Sequence, residues 1–284
     1  MTMGSFFRVF GFMGQVLGMV KDNPKLLTPV ALNLAIAVPV NILFALVLAF
    51  TPVEWQYTVG YLFTVVGLTA LYFIDYFCGG LTASMVYDQV TTGTAGIGPA
   101  FSRTLRASPG ILVFAVVSAI FDFLSNLASQ RQGIMRLVGP MILGVIRMIW
   151  TTATYVIMPA LVVEQQGFFA ALKRSKALME NDPTQVGVGV VGMGLVSWLL
   201  SAVTIVPAYA AYSWLAMNVH PAAGILVFFT LTNTFWAVSG YLKGVYYTCF
   251  YLWAVECERN RSASPQLAPA PLRNVIGGLE AGAY

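Results

Sequence analysis

A chain of 284 residues in which 58% are hydrophobic and only 9% carry a charge cannot cover a soluble surface, since an ordinary globular domain is about 25% charged. Mean hydropathy is +0.77, and from Pro183 to Leu242 there is no Asp, Glu, Lys or Arg, a run that suits two membrane-spanning helices of about 20 residues each. The net charge of +4 does not point to nucleic acid, because the Lys and Arg residues are scattered at helix ends, where anionic lipid headgroups are the better partner.

Residues 1–22 are predicted to form an interfacial amphipathic helix. Phe6, Phe10, Met13, Leu17 and Val20 recur at helical spacing on one face, and Arg8, Gly11, Gln15, Gly18 and Asp22 fall on the other. Such a face is buried either in the headgroup layer or under a helix bundle. Gly and Arg8 interrupt the apolar residues, so a cleavable signal peptide is not expected.

Residues 23–258 read as a six-span transmembrane bundle, with spans at about 24–50, 57–87, 109–128, 137–163, 183–213 and 221–256. The apolar runs are long and unalternating, unlike the strands of a membrane barrel. The fold class expected is therefore all-α integral membrane. Arg8, Lys21, Lys25, Arg103, Arg106, Lys173, Arg174, Lys176, Arg259, Arg261 and Arg273 fall on one side, against Arg131 and Arg136 on the other. The positive-inside rule then places both termini in the cytoplasm, in a prokaryotic cytoplasmic membrane. The Pro/Ala-rich tail 259–284, with Pro265, Pro269 and Pro271, reads as extended and weakly ordered.

The odd spans each open on a capping residue followed by proline: Asn23-Pro24, Ser108-Pro109 and Asp182-Pro183. A basic amphipathic segment precedes each, and the even spans end in Asp88, Glu164 and Glu256. Three repeated helical hairpins account for this pattern; so does the need of any hairpin membrane protein for caps and basic cytoplasmic flanks. Each acid faces the negative end of its helix dipole and calls for a cationic partner. Lys173, Arg174 and Lys176, near Glu164, are the expected partners, pinning interfacial helices to the bundle. Among small-residue pairs, Gly14/Gly18 and Gly80/Ser84 are candidates for close helix packing, as is the run Gly187, Gly189, Gly192 and Gly194.

The segment Pro159-Ala160-Leu161-Val162-Val163-Glu164, followed by Gly167, Ala171-Leu172-Lys173-Arg174-Ser175 and Leu178, resembles an uncharacterised family of six-span prokaryotic membrane proteins. That family is distantly similar to the membrane domain of some glycerophosphodiester phosphodiesterases. Asp22-Asn23-Pro24 and the region from Phe73 to Thr82 fit the same layout. The resemblance implies a six-helix bundle and supplies no catalytic residues; the hydrolytic domain has no counterpart here.

The inventory of side chains speaks against an enzyme. His220 is the one histidine and precedes Pro221 in an outer loop, so neither a His-based metal cluster nor a Ser-His-Asp triad can be built. Cys78, Cys249 and Cys257 form no CxxC pair. No cofactor is expected. Four charges do fall within spans: Asp75, Asp122, Arg147 and Lys243. Counted at about 1.5 Å per residue, Asp122 and Arg147 come within reach of one another, and Asp75 and Lys243 share a depth. Structural ion pairs, an ion or proton pathway, and snorkelling are the three readings. The expectation is a non-catalytic structural or accessory membrane protein, a scaffold binding lipid and other subunits or a second copy. The alternative is a small transporter or channel using Asp75 and Asp122, with Pro39, Asn41, Pro140, Pro159 and Pro207 breaking helices. A carboxylate without an ionic partner, facing a wet cavity, favours the second.

Overall fold

The computed structural model describes residues 3–129, 150, 156–181, 201, 203–261 and 264–273. Among the described residues there is helix and no strand. Helix α1 (Met3–Asp22) leads through a 3-10 turn (Pro24–Leu27) into α2 (Thr28–Phe50), followed by α3 (Val53–Thr92), α4 (Ile97–Arg106) and α5 (Ser108–Ser129). Helix α6 (Phe168–Asn181), α7 (Pro221–Asn260) and a short turn at Pro265–Leu267 complete the named elements. Residues 156–162 and 203–218 are helical as well.

Three helical segments, Pro24–Leu43, Val65–Thr92 and Pro221–Asn260, are long and apolar enough to cross a membrane. A fourth exists if α4 and α5, bent 64° to one another, count as one broken span. The expected spans at 137–163 and 183–213 lie largely outside the described residues.

Helices α2, α3 and α7 are the central layer. Thr82 of α3 meets Gly244 of α7, and Met85 and Val86 share a cluster with residues further along α7, so these two helices run parallel. Asn41 of α2 bonds Asn233 of α7 at 3.0 Å while Val30 lies beside Tyr241, so α2 runs against them. Helix α5 is also antiparallel to α3, with Ile111 near Gly80 and Ser118 bonded to Tyr76 at 2.7 Å. Both α3 and α7 contain 40 residues. Asp75 and Asp88, counted from Val53, stand where Lys243 and Glu256 stand counted from Pro221.

Close packing gathers in the C-terminal halves of these helices. Leu81, Met85 and Val86 of α3 meet Val245, Cys249 and Trp253 of α7, with Phe12 and Val16 of α1 and Leu26 closing one side. A second cluster joins Phe114 and Ile111 of α5 to Ile157, Leu161 and Ala171.

Helix α1 packs Phe12 and Val16 inward, Phe12 edge-on to the Tyr246 ring of α7, while Leu17 is 65% exposed. Three details depart from the sequence reading. Asn23 does not cap with its side chain; its amide instead donates to Gln89 of α3 at 2.9 Å. A side chain added at Gly14 or Gly18 would meet nothing within 4 Å, so that pair packs against no described residue of this chain, whereas Gly80 is closed in by Thr104 and Val162 at 3.1 Å. The tail is docked at least as far as Arg273: Leu272 and Ala268 are buried, and Trp253 donates to the Ser264 carbonyl at 3.1 Å. Its apolar residues outweigh the disordering tendency of its prolines.

Candidate functional site

The three central helices enclose a polar cleft at the level of Asp75. Pro29, Val30 and Asn33 come from α2, Asp75, Cys78, Gly79 and Thr82 from α3, and Trp236, Ala237, Gly240 and Tyr241 from α7. Gly79 and Gly240, lacking side chains, leave about 20 Å³ of free space there, enough for one water-sized particle. One oxygen of Asp75 accepts from Asn33 Nδ2 at 2.7 Å. The residue is set deep among protein atoms yet remains exposed along the open side of the cleft. Lys243 acts on Asp75 through the field of its charge.

Thr82 donates its hydroxyl proton to the Cys78 carbonyl at 2.9 Å, so its oxygen can act only as an acceptor toward the cleft. Tyr241 is only 6% exposed, and its hydroxyl has no hydrogen-bond partner. A buried orphan of this kind costs about 1–3 kcal/mol.

The second in-membrane acid is placed differently. Asp122 of α5 accepts a hydrogen bond from the Tyr72 hydroxyl, and Arg147 lies outside the described residues. Nearby, Ser118 joins Tyr76 to the Trp150 indole, whose N–H donates at 2.9 Å.

At the opposite end the three acidic residues are each engaged. Asp88 forms an ion pair with Arg103, tying α4 to the last turns of α3. Glu164 accepts from the Tyr251 hydroxyl and from Gln166 Nε2 at 2.6 Å. Glu256 pairs with Arg259 at 3.7 Å. Arg174, expected near Glu164, does feel that carboxylate's charge, but its ion pair is with Glu258; this bond is the main reason its guanidinium pKa is raised above the ordinary value. Lys173 and Lys176 lie on the exposed side of α6. Gln165, held in the left-handed region at φ 53°, donates to the Arg103 carbonyl at 3.0 Å. His220 caps α7, its Nδ1 accepting from the Ala222 N–H at 3.2 Å.

Sequence reasoning missed Asn33, Tyr241, Tyr251 and Gln165. A neutral polar residue inside an apolar span, as Asn33 is, was the available signal for the cleft.

A family model described as a family of unknown function (DUF6159) matches residues 54–261. No curated protein and no solved structure matches the chain.

Proposed function

We propose, from the premise that the chain belongs to this family of unknown function, that it is a non-catalytic structural or accessory protein of the prokaryotic cytoplasmic membrane. It crosses that membrane six times with both termini inside, in a layout similar to the membrane domain of glycerophosphodiester phosphodiesterases. Its interfacial helices rest on lipid, and its partners are other membrane subunits or a second copy. The observation carrying this reading is that Glu164, Gln165, Arg174 and Ser175 are each spent on internal ties. Glu164 is bonded to Tyr251, Gln165 to the end of α4, Arg174 to Glu258, and Ser175 to the Val156 carbonyl at 3.3 Å.

Lipid contact is supported by the way α4 and α6 are turned. Each buries its small side, Ala100 and Thr104 or Ala171 and Ser175. The bulky apolar residues Ile97, Phe101, Leu105, Phe169 and Leu172 face outward, and Phe169 is 80% exposed. That is the reverse of what water selects and suits acyl chains, with Arg106, Lys173 and Lys176 at headgroup level. Purification of the native protein in mild detergent tests the reading: a stable complex with defined membrane subunits or a dimer is expected. A monodisperse single chain with robust solute flux in liposomes would overturn it.

One observation favours the transporter reading. Asp75 opens onto a cleft and accepts a hydrogen bond there from the neutral amide of Asn33. Proton or ion flux in liposomes that disappears in a still-folded Asp75→Asn variant would establish that alternative.

A further inference from the structure

We propose that the cleft between α2, α3 and α7 is a binding site for a small monovalent cation of sodium size, held by the Asp75 carboxylate, the Tyr241 hydroxyl and the Asn33 carbonyl oxygen. The first argument is what the cleft leaves unfilled. One Asp75 oxygen takes the Asn33 amide proton, and the residue stays exposed along the open side of the cleft. The Tyr241 hydroxyl is buried without a partner in the same wall. Asn33, itself 4% exposed, has spent an amide proton on Asp75, and its carbonyl oxygen remains an acceptor.

The second argument is the kind of atom on offer. Thr82 points its proton at the Cys78 carbonyl, so it adds lone pairs to the set. A group of oxygen acceptors around one carboxylate selects a hard cation. The charge selects a monovalent one. Among the described residues no cluster of three His, Cys, Asp or Glu exists, and Asp75 is the single acid of the cleft. The field of Lys243 offsets part of its charge. The free space of about 20 Å³ admits a bare ion or a water.

Lys243 gives the site its regulation. It lies on α7 just past the cleft-lining Gly240 and Tyr241, and its charge acts on Asp75. Its ammonium and an incoming cation compete for one carboxylate, so neutralising the lysine strengthens binding. This holds for a resident structural ion as for a transported one.

The test is equilibrium binding of radioactive sodium to the full chain in zwitterionic nanodiscs, with choline keeping ionic strength constant. The parent is expected to bind one sodium saturably. Asp75→Asn should weaken binding at least about 10-fold, Tyr241→Phe several-fold, and Lys243→Gln should strengthen it several-fold. Thermal unfolding separates ligation from folding: sodium should raise the Tm of the parent more than that of Tyr241→Phe. A merely orphaned hydroxyl would make Tyr241→Phe more stable, with no dependence on sodium. Failure of both the parent and Lys243→Gln to bind overturns the site, and water is then its occupant. Binding that survives in Asp75→Asn or is unchanged in Tyr241→Phe overturns it as well. Should Asp75→Asn not fold, the Tyr241 and Lys243 variants decide.

Discussion

Arg174 of α6 forks onto both carboxylate oxygens of Glu258 near the end of α7, Nη1 at 3.0 Å and Nη2 at 2.6 Å. Paired donors in this fixed geometry suit arginine and not lysine. Both side chains are part exposed, so the pair is worth about 1 kcal/mol or less. We expect Arg174→Ala and Arg174→Lys both to loosen α6 without unfolding the bundle. A cysteine placed at the buried Ala171, in a background free of other cysteines, should then react faster with maleimide. Equal rates in parent and variants would show that the clamp holds nothing.

Asp88 and Arg103 make a better shielded pair, with side chains 17% and 22% exposed. Each single change to Ala should destabilise by about 1–3 kcal/mol, and the double change by less than the sum. A double-mutant cycle in one detergent measures the difference; strict additivity would mean the two charges do not cooperate.

The glycines separate by what an added methyl would strike. At Gly224 it would lie 2.7 Å from the Tyr212 carbonyl oxygen, which is backbone and cannot move aside. At Gly110 it would lie 2.8 Å from Cδ1 of Leu161, the end of a flexible side chain. Gly224→Ala should cost about 1–3 kcal/mol and Gly110→Ala under about 1. Thermal unfolding that ranks them the other way would sink this account.

The docked tail makes its own prediction. Leu272 is fully buried, and Leu272→Ala should cost about 2–5 kcal/mol. Ending the chain before Ser264 uncovers Trp253, so tryptophan emission should shift to the red. An unchanged spectrum and Tm would make the tail dispensable.

Topology is tested by labelling intact cells. Cysteines at Thr51 and Asn218 should react with an impermeant reagent and one at Ser262 should not. Reaction at Ser262 overturns the cytoplasmic placement of the termini.

Helix positions were legible because composition and proline spacing act locally: the element opening at Pro24 and the close of α3 past Asp88 both follow from neighbours in the chain. Partners were not legible. Arg174 chose Glu258, 84 residues away, over the nearby Glu164, and sequence carries no signal for that choice. The buried face of α1 also depends on where Tyr246 lies. The cleft escaped notice for a different reason. Charge counting finds Asp75 and Lys243, but Asn33 and Tyr241 are neutral and sit in apolar surroundings, and only the helix crossing brings them beside Asp75.

The length of α3 and α7 has a mechanical consequence. At about 1.5 Å per residue each is roughly 60 Å long, about twice the hydrocarbon thickness of a bilayer. Their C-terminal halves are braced by α1, α4 and the tail, whereas further toward their starts they carry outward-facing apolar residues such as Val66, Leu226 and Leu231. In the membrane placement proposed above, one end is therefore braced by its own packing and the other meets acyl chains that set its tilt. Lipids of different chain length should pivot the soft end about the stiff one, making the molecule responsive to bilayer thickness.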